Sequence, residues 1–351
     1  MDAAFAGSAP PTPTPTPTPA PAPSSNPDIA LILDVAAAWF DGEPGQLGGH
    51  DPQETGFTFQ QLELTLQHAV DPYFSLQANI VFHPEGVEVE EAVATTLALP
   101  GGLQARAGQF LHRVGRQNTQ HPHAWSFVDQ PLVLGALLGG EGSRGVGVEA
   151  SWLAPLPWYL VVYGSVTGAG AGHVHAGEAE EEAEGEAEGF EALPTARLEQ
   201  FFPFNDDWSL SLGASAQLPP VHDEGRGQLY AVDAYLRWRP VASTSRLALS
   251  WQTEALVRRL PEAGHTHEDR GLYSQLVLDF AERWQVGGRT EWLDEAEADT
   301  RRRHSAQLSF FPSHFSRLRL QVGLDERSDD VVPSAFLALE TLIGAHGAHG
   351  F

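Results

Sequence analysis

From Asp28 onward, hydrophobic and polar residues alternate along the chain with a period of two. In segment 317–325, leucine or valine occupies every second position, with arginine, glutamine, glycine and aspartate between them. The same alternation runs through segments 74–82, 209–218 and 246–257. Because successive side chains of a β-strand point to opposite faces, each segment has one apolar and one polar face. The pattern therefore predicts an all-β protein.

The connections between these segments also alternate, short turns with longer polar stretches. The longer stretches fall at 41–54, 112–143, 168–194, 219–226, 259–269, 294–301 and 326–333. The one exception is the short turn at 83–86. This arrangement is typical of outer-membrane barrels. It predicts a transmembrane antiparallel β-barrel of about sixteen strands, with fourteen or eighteen as alternatives and without a plug domain. The least regular strand, 195–203, could instead form a short amphipathic helix.

A soluble β-sandwich or β-propeller would show the same alternation. Two features favour the barrel. The polar faces carry many charges that a packed core would not hold, and aromatic residues gather toward the strand ends of the apolar faces, as they do at membrane interfaces. The aromatic residues in question are Phe57, Phe59, Trp152, Trp158, Tyr159, Trp238, Trp284, Trp292, Phe310 and Phe315.

The sequence divides into two parts. Residues 1–27 are rich in proline and threonine and predict a disordered tail. Residues 28–351 predict the barrel, ending on an aromatic residue, Phe351. Loop 112–143 carries apolar side chains that are costly to expose, so we expect it to fold into the barrel, although packing outside on neighbouring loops is the alternative. Loop 168–194 is rich in acidic residues and histidine and is expected to be external.

Composition narrows the function. No run of about eighteen apolar residues occurs, and mean hydropathy is −0.22, so membrane-spanning helices are not expected. A net charge of −26 disfavours nucleic acid as a partner. The chain has no cysteine, which excludes disulfides and thiolate metal sites. Its start lacks the apolar core of a secretory signal, so we expect that a signal was removed or lies outside this sequence.

Several segments carry a resemblance to a known group, among them NPDIALILDVAAAWF, LGGHDPQETGFTFQQLEL, QHPHAWSFVDQPLV and GSRGVGVEASWLAPLPWYL. Together they resemble the porin-superfamily proteins labelled zinc-regulated outer-membrane receptors, which are distantly similar to phosphate-selective porins. The resemblance covers about nine-tenths of the chain and implies a porin-like fold. Its label also implies energy-coupled uptake through a plugged barrel of about 22 strands. This sequence departs from that part, since it predicts no plug and about sixteen strands.

The polar faces predict charged residues that line the pore. Seven arginines are expected in the periplasmic half of the lumen and carboxylates at the outer end, where they would concentrate cations. The arginines could guide anions, or the opposite charges could simply pair and support the wall. The predicted pore-lining residues are Arg106, Glu149, Asp233, Arg237, Arg239, Arg246, Glu254, Asp279, Arg289, Glu291, Arg317 and Arg319.

Histidines in the outer loops suggest a second function. Two pairs have i, i+2 spacing, HVH and HTH, and carboxylates lie close to both. Imidazoles at this spacing in an extended segment point the same way and can ligate zinc together with carboxylates. The alternative is that these are solvated loops. The predicted metal ligands are His173, His175, His265, His267, His222 and His83.

No catalytic motif is present: the chain lacks G-x-S-x-G, H-E-x-x-H and a phosphate loop. We therefore expect a porin-like channel for small solutes or ions rather than an enzyme. The alternatives are a zinc-binding uptake porin and a structural or adhesive barrel. The expected location is the outer membrane, with external loops and both termini periplasmic. The expected partners are outer-membrane lipid and small solutes or ions, a homo-oligomer is an open possibility, and the only cofactor suggested is a labile Zn²⁺.

Overall fold

The structure is a computed structural model that describes residues 26–169, 191–221, 225–241, 247–262, 264–328 and 330–344. Within these residues, sixteen strands form one closed antiparallel barrel, in which the first strand pairs with both the second and the last. The predicted barrel is confirmed. The barrel strands are β1 (Asp28–Phe40), β2 (Gly56–Ala69), β3 (Phe74–His83), β4 (Gly86–Thr96), β5 (Leu103–Leu111), β6 (Arg144–Leu153), β7 (Tyr159–Gly168), β8 (Ala192–Pro203), β9 (Trp208–Gln217), β12 (Gln228–Trp238), β13 (Ala248–Glu262), β14 (His265–Phe280), β15 (Trp284–Asp294), β16 (Arg301–Ser313), β17 (Ser316–Arg327) and β18 (Asp330–Gly344).

A two-stranded ladder of β10 (Pro220–Val221) and β11 (Gly225–Arg226) lies in the connection between β9 and β12. The region 195–203, which could have been helical, lies within β8. Thr195, Arg197 and Glu199 of this strand pair with β9 in unbroken register, and the strand also pairs with β7. Pairing with both neighbours therefore makes this ambiguous segment a strand.

The apolar face of the strands points outward. In β17, Leu320 and Val322 are 49% and 50% exposed, while the alternate residues Arg319 and Gln321 are 3% and 1% exposed. A continuous exposed apolar wall suits hydrocarbon and not water, and the polar residues are enclosed in the lumen. The strands therefore span a membrane. No helix in the described segments is long and apolar enough to do so.

Aromatic side chains mark the end of the barrel that carries the short turns. Trp284 and Phe310 pack with ring centroids 4.7 Å apart across β15 and β16, and Trp208 and Trp238 lie 6.1 Å apart across β9 and β12. Trp152 and Trp158 are exposed at the same end. Rings of this kind sit at membrane interfaces because one side is apolar and the other is wet.

Two of the predicted long connections are wrong. Segment 259–269 is part of the β13–β14 hairpin, in which β13 ends at Glu262 and β14 begins at His265. Its polar residues pair across the strands, as Arg259 Nε does with Glu268 Oε2 at 2.8 Å. Segment 326–333 is likewise mostly strand, with Arg327 opposite Asp330. Polarity indicated loops here, but cross-strand charge pairs extend the ladder beyond the apolar band.

Residues 112–143, called here the lumenal loop, leave the wall after β5 and return at β6. They contain two short 3-10 helices, Gln117–Thr119 and Pro122–Ala124, and one α-helix, α1 (Leu132–Leu138). Helix α1 packs against β13, β14 and β15. No plug domain is present among the described residues. The predicted proline-rich tail, the acidic part of loop 168–194 and Phe351 lie outside the described residues.

An apolar patch on the inner wall receives the lumenal loop. Leu229, Leu256 and Leu293 face inward and are at most 2% exposed. With Val133 and Leu134 of α1 they form a buried hydrophobic cluster. Burial of leucines against this patch stabilises the position of α1 on the wall.

Candidate functional site: the barrel lumen

A large polar cavity occupies the lumen between the lumenal loop and the short-turn end. Its volume is about 1060 Å³, and it extends to Phe315 and Gly344 at that end. We call it the inner cavity. Its charged lining comprises five arginines and three carboxylates: Arg113, Arg116, Arg197, Arg237, Arg317, Glu199, Asp279 and Glu340. Guanidinium groups are therefore in slight excess there.

Three of the predicted pore-lining residues, Arg237, Asp279 and Arg317, line the inner cavity. Asp279 accepts a hydrogen bond from Gln285 Nε2 at 2.8 Å. Arg239 lies beyond the end of β12 and is exposed, so it does not line this cavity. Arg246 lies outside the described residues.

Four more of the predicted residues are held on the lumen wall, three in charge pairs and Glu254 by hydrogen bonds. Arg106 Nε lies 2.8 Å from Glu149 Oε1, and Arg113 of the lumenal loop shares this carboxylate at 2.9 Å. Asp233 receives two hydrogen bonds from Arg197, at 2.6 and 3.0 Å. Glu254 accepts the backbone N–H groups of Arg116 and Gln117 at 2.9 and 2.8 Å. Two of these wall carboxylates, Glu149 and Glu254, thereby hold the start of the lumenal loop.

Asp129 is the central charge of the lumenal loop. It lies 2.6 Å from Arg289 Nη2 and 3.1 Å from Arg303 Nη1, and Gln321 Nε2 donates to it at 2.7 Å. Burial would raise the pKa of Asp129, but the charges of Arg289 and Arg303 outweigh burial and lower it. Glu291 pairs with Arg289 and also accepts the N–H of Leu132 at 2.6 Å. Arg289 and Glu291 thus anchor the loop.

Arg317 and Arg319 bind the backbone of the lumenal loop. Arg317 donates to the carbonyl of Trp125 at 2.9 Å, and Arg319 donates to that of Phe127 at 2.9 Å. Both also contact Glu340. The geometry therefore resembles the charge-pairing alternative more than a row of free arginines.

His112 begins the lumenal loop in neutral surroundings. Its ring nitrogens lie 2.8 Å from Ser143 Oγ and 3.0 Å from Thr167 Oγ1, and Gln217 Nε2 approaches at 3.1 Å. Burial lowers the pKa of His112 to about 4. The ring is therefore neutral at physiological pH and joins the two ends of the loop to the wall.

A second cluster joins imidazoles and carboxylates on the side of the long connections. His50 comes from the β1–β2 connection, His121 and Glu141 from the lumenal loop, and Glu63 and Glu90 from the wall. They form two groups with ligand atoms within 4.8 Å of one another: His50, Glu90 and Glu141; and Glu63, Glu90 and His121. Either group has the donor atoms that a metal ion would require.

Carboxylates dominate the electrostatics of this cluster. Burial opposes the charge of His50, but its close contact with Glu141 and the charge of Glu90 raise its pKa to about 9. For His121, burial is likewise outweighed by Glu90 and Glu91, which raise the pKa well above its ordinary value. The cluster therefore favours positive charge.

The predicted metal ligands lie elsewhere. His83 Nδ1 lies 2.9 Å from Glu85 at the β3–β4 turn, and its ring packs edge-on against His50 with centroids 5.7 Å apart. His265 and His267 begin β14, where His267 Nδ1 is 3.8 Å from Glu297. In the described part of the chain, none of these three histidines belongs to a three-residue group of metal ligands. His173, His175 and His222 lie outside the described residues.

Sequence reasoning missed His50, His121, Glu63 and Glu141. For His121 the sequence does contain a signal, because QHPHAW has the same i, i+2 histidine spacing as HVH and HTH. No carboxylate lies within five residues of this pair in sequence, and its carboxylate partners lie some 30 residues or more away in β4 and β2. Only the folded barrel brings them together.

No family model matches the chain. An uncharacterized protein of Aquifex aeolicus (strain VF5) is 31% identical over 388 aligned positions, which cover 93% of this chain and 80% of that protein. The chain belongs to the family of this Aquifex protein.

Two solved structures share the fold. An anion-selective porin from Comamonas acidovorans superimposes with a TM-score of 0.59 at 9% identity, covering 91% of this chain and 99% of the porin. The outer-membrane channel DcaP of Acinetobacter baumannii gives 0.59 at 10% identity, covering 90% and 97%. The porin part of the resemblance is supported at the level of the fold, and the zinc-regulated receptor part gains no support.

Proposed function

We propose that this member of the Aquifex family forms an outer-membrane channel for small polar solutes or ions, with the lumenal loop setting the narrowest passage. The observation that carries the proposal is the inner cavity, about 1060 Å³ of polar space inside a closed barrel. Sixteen-stranded barrels leave an aqueous channel unless a loop fills it. The fold shared with a porin and an outer-membrane channel supports the same function.

The passage through the lumenal loop is narrow. A smaller cavity of about 40 Å³, the outer cavity, lies on the other side of the loop. Gln117, Gln120, His121 and Trp125 line both cavities. A solute that moves from one cavity to the other must pass these side chains. The channel is therefore expected to carry small solutes only, and a catalytic role is not proposed.

Orientation follows from the connections. Long connections face the outside and short turns the periplasm in barrels of this kind. By this rule the inner cavity opens to the periplasm and the N-terminal strand begins there. The homo-oligomer expected from the sequence stays a prediction.

Single-channel recording in planar bilayers tests the proposal. The wild-type chain is expected to give small, steady currents. A variant with residues 121–138 replaced by glycine and serine at the same length is expected to give several-fold larger currents, because that segment loses its anchors to the wall. Circular dichroism and heat-dependent migration would show that both barrels are folded.

A matched control replaces the exposed β15–β16 connection, residues 295–300, in the same way and is expected to leave the currents unchanged. If neither the folded wild type nor the folded loop variant carries current, the proposed channel function is wrong. The structural barrel, which the loop filling the lumen favours, would then be the better proposal.

A further inference from the structure

Two β-bulges lie in the wall beside the outer cavity. In β2 the register with β1 shifts at Gln60, and in β4 the register with β3 shifts at Glu90. A bulge inserts one extra residue and re-aims the side chains around it, and bulges are frequent beside functional sites. Here each bulge brings two consecutive polar residues, Gln60 with Gln61 and Glu90 with Glu91, away from the lipid-facing surface. Gln60 and Glu90 both line the outer cavity.

Two buried side-chain oxygens lining this cavity, Gln60 Oε1 and Gln130 Oε1, have no hydrogen bond in the described part of the chain. Two further atoms lining it, His50 Nε2 and Glu141 Oε2, form an ion pair at 3.0 Å. The His50 side chain is 10% exposed, and Gln60 and Gln130 are 7% and 5% exposed. A buried polar atom without a partner costs about 1–3 kcal/mol. Both glutamine oxygens offer lone pairs to a cavity of about 40 Å³ that the carboxylates of Glu90 and Glu141 also line, which is enough space for a water molecule or a metal ion.

The spacing of the ligand atoms suits a transition metal. His50 Nε2 lies 3.0 Å from Glu141 Oε2 and 3.9 Å from Glu90 Oε1. Ligands about 2.0–2.2 Å from a tetrahedral zinc ion stand about 3.3–3.6 Å apart, and the two observed distances bracket that value. We infer that His50, Glu90 and Glu141 bind one divalent first-row transition-metal ion inside the barrel, with Gln60 Oε1 within the same cavity as a further ligand. An imidazole among the donors favours such an ion over Ca²⁺ or Mg²⁺.

Neighbouring groups hold the ligands in place. His121 Nδ1 lies 2.7 Å from the second oxygen of Glu90, and its Nε2 lies 3.3 Å from Glu91. This is the outer-shell contact that fixes the orientation of a metal-ligating carboxylate. Gly49 leaves space for the Glu141 carboxylate, because a Cβ at this position would lie 1.6 Å from Glu141 Oε1 and would displace it.

The local charge also favours a cation. Five carboxylates act on His50 or His121, those of Glu63, Glu88, Glu90, Glu91 and Glu141. Of the arginines nearby, Arg144 contacts Glu88, and Arg106 lies 4.0 Å from Glu91 but 2.8 Å from Glu149. A rival explanation is that His50 and Glu141 form only an ion pair. Metal titration distinguishes the two, since an ion pair alone binds no metal.

Calorimetric titration of Zn²⁺ into the full chain, refolded in detergent and stripped of metal, tests the site. The starting protein carries His173→Ala, His175→Ala, His265→Ala and His267→Ala, so that these histidines cannot contribute to the heat. It is the matched control for the variants of the proposed site. We expect this protein to bind one equivalent of Zn²⁺. His50→Ala and Glu141→Gln should abolish the saturable heat, and His121→Phe should weaken binding by about 10–100-fold.

X-ray absorption at the zinc edge gives a readout that folding alone would not change, and one imidazole with carboxylate oxygens is expected. The site is wrong if the starting protein gives no saturable heat, or if His50→Ala and Glu141→Gln bind as well as it does. Conductance of the same preparations tests the channel separately. A chain that conducts without binding Zn²⁺ overturns the site alone, and one that binds without conducting overturns the channel alone.

Discussion

The same alternating strands enclose two regions of the lumen, one open and one filled by the lumenal loop. In the inner cavity, Arg237 and Asp279 line about 1060 Å³ of open space. In the loop-filled region, Asp129 and Arg289 are each 1% exposed and pair at 2.6 Å. Both regions have charged inner walls, but only the second has a loop whose own charges and leucines match the wall. A charged lumenal residue therefore has two roles in this barrel, and its partner decides which one.

The largest difference between the two regions should appear on removal of Asp129. Asp129→Ala leaves Arg289 and Arg303 buried without their shared carboxylate, so we expect a loss of about 3–5 kcal/mol in the free energy of unfolding. Chemical denaturation in detergent measures it. The matched control is Asp279→Ala in the inner cavity, for which about 1 kcal/mol is expected. Equal losses for both variants would contradict the division into two regions.

The apolar contact of α1 comes next. Leu134 is 1% exposed in the cluster between α1 and the wall, and Leu134→Ala should cost about 2–5 kcal/mol through lost burial and the cavity left behind. It should also make the lumenal loop easier for a protease to cleave. Leu320→Ala on the outer face is the control, since Leu320 is 49% exposed and packs against no core. Unchanged proteolysis in Leu134→Ala would show that α1 is held by polar contacts alone.

The contribution of the loop-filled region to the free energy of unfolding should depend on pH through His112. The pKa of His112 is about 4 in the folded chain and 6.5 when unfolded, so its contribution is complete above pH 6.5 and is lost as pH falls through 4. The difference corresponds to about 3 kcal/mol. The groups that face the ring are Ser143, Thr167 and Gln217, with Glu149 and Arg106 as the nearest charges.

Measuring the unfolding free energy of wild type and His112→Gln between pH 7.5 and 4 isolates this group from the carboxylates that titrate in both proteins. The wild type should lose stability relative to the variant as pH falls. A constant difference across this range would show that His112 does not carry the effect.

The smallest effect is expected in the inner cavity. Arg237→Gln should change the free energy of unfolding little but shift the ion permeability ratio toward cations by roughly twofold to fivefold, because one charge is removed from a wet wall. Reversal potentials in a salt gradient measure the shift. Arg239→Gln is the matched control, two residues further on and exposed beyond the strand. An identical shift in both variants would mean that the inner cavity does not set selectivity.

Much of the architecture was predictable from local pattern. The period of two, the short turns and the aromatic strand ends together predict the closed barrel. Segments 259–269 and 326–333 were predicted as loops because polarity alone does not distinguish a solvated loop from a hairpin with cross-strand charge pairs. Leu256 and Leu293 on the polar face indicated the docking patch for α1, but alternation counts do not show which loop will cover them.

The site was less predictable. The i, i+2 spacing does not single out His50, and carboxylate neighbours in sequence favoured His265 and His267 over His121 and His123. In the fold, His123 Nδ1 lies 2.7 Å from Glu63, sixty residues away.

By itself, the sequence determined the strand periodicity, the apolar outer face and the polar lumen, because side-chain direction alternates residue by residue. The tertiary structure decided which lumenal charges are neutralised, where the loop lies, and that His50, Glu90 and Glu141 meet. Those outcomes depend on closing sixteen strands around a loop, which brings residues into contact that local sequence never places together.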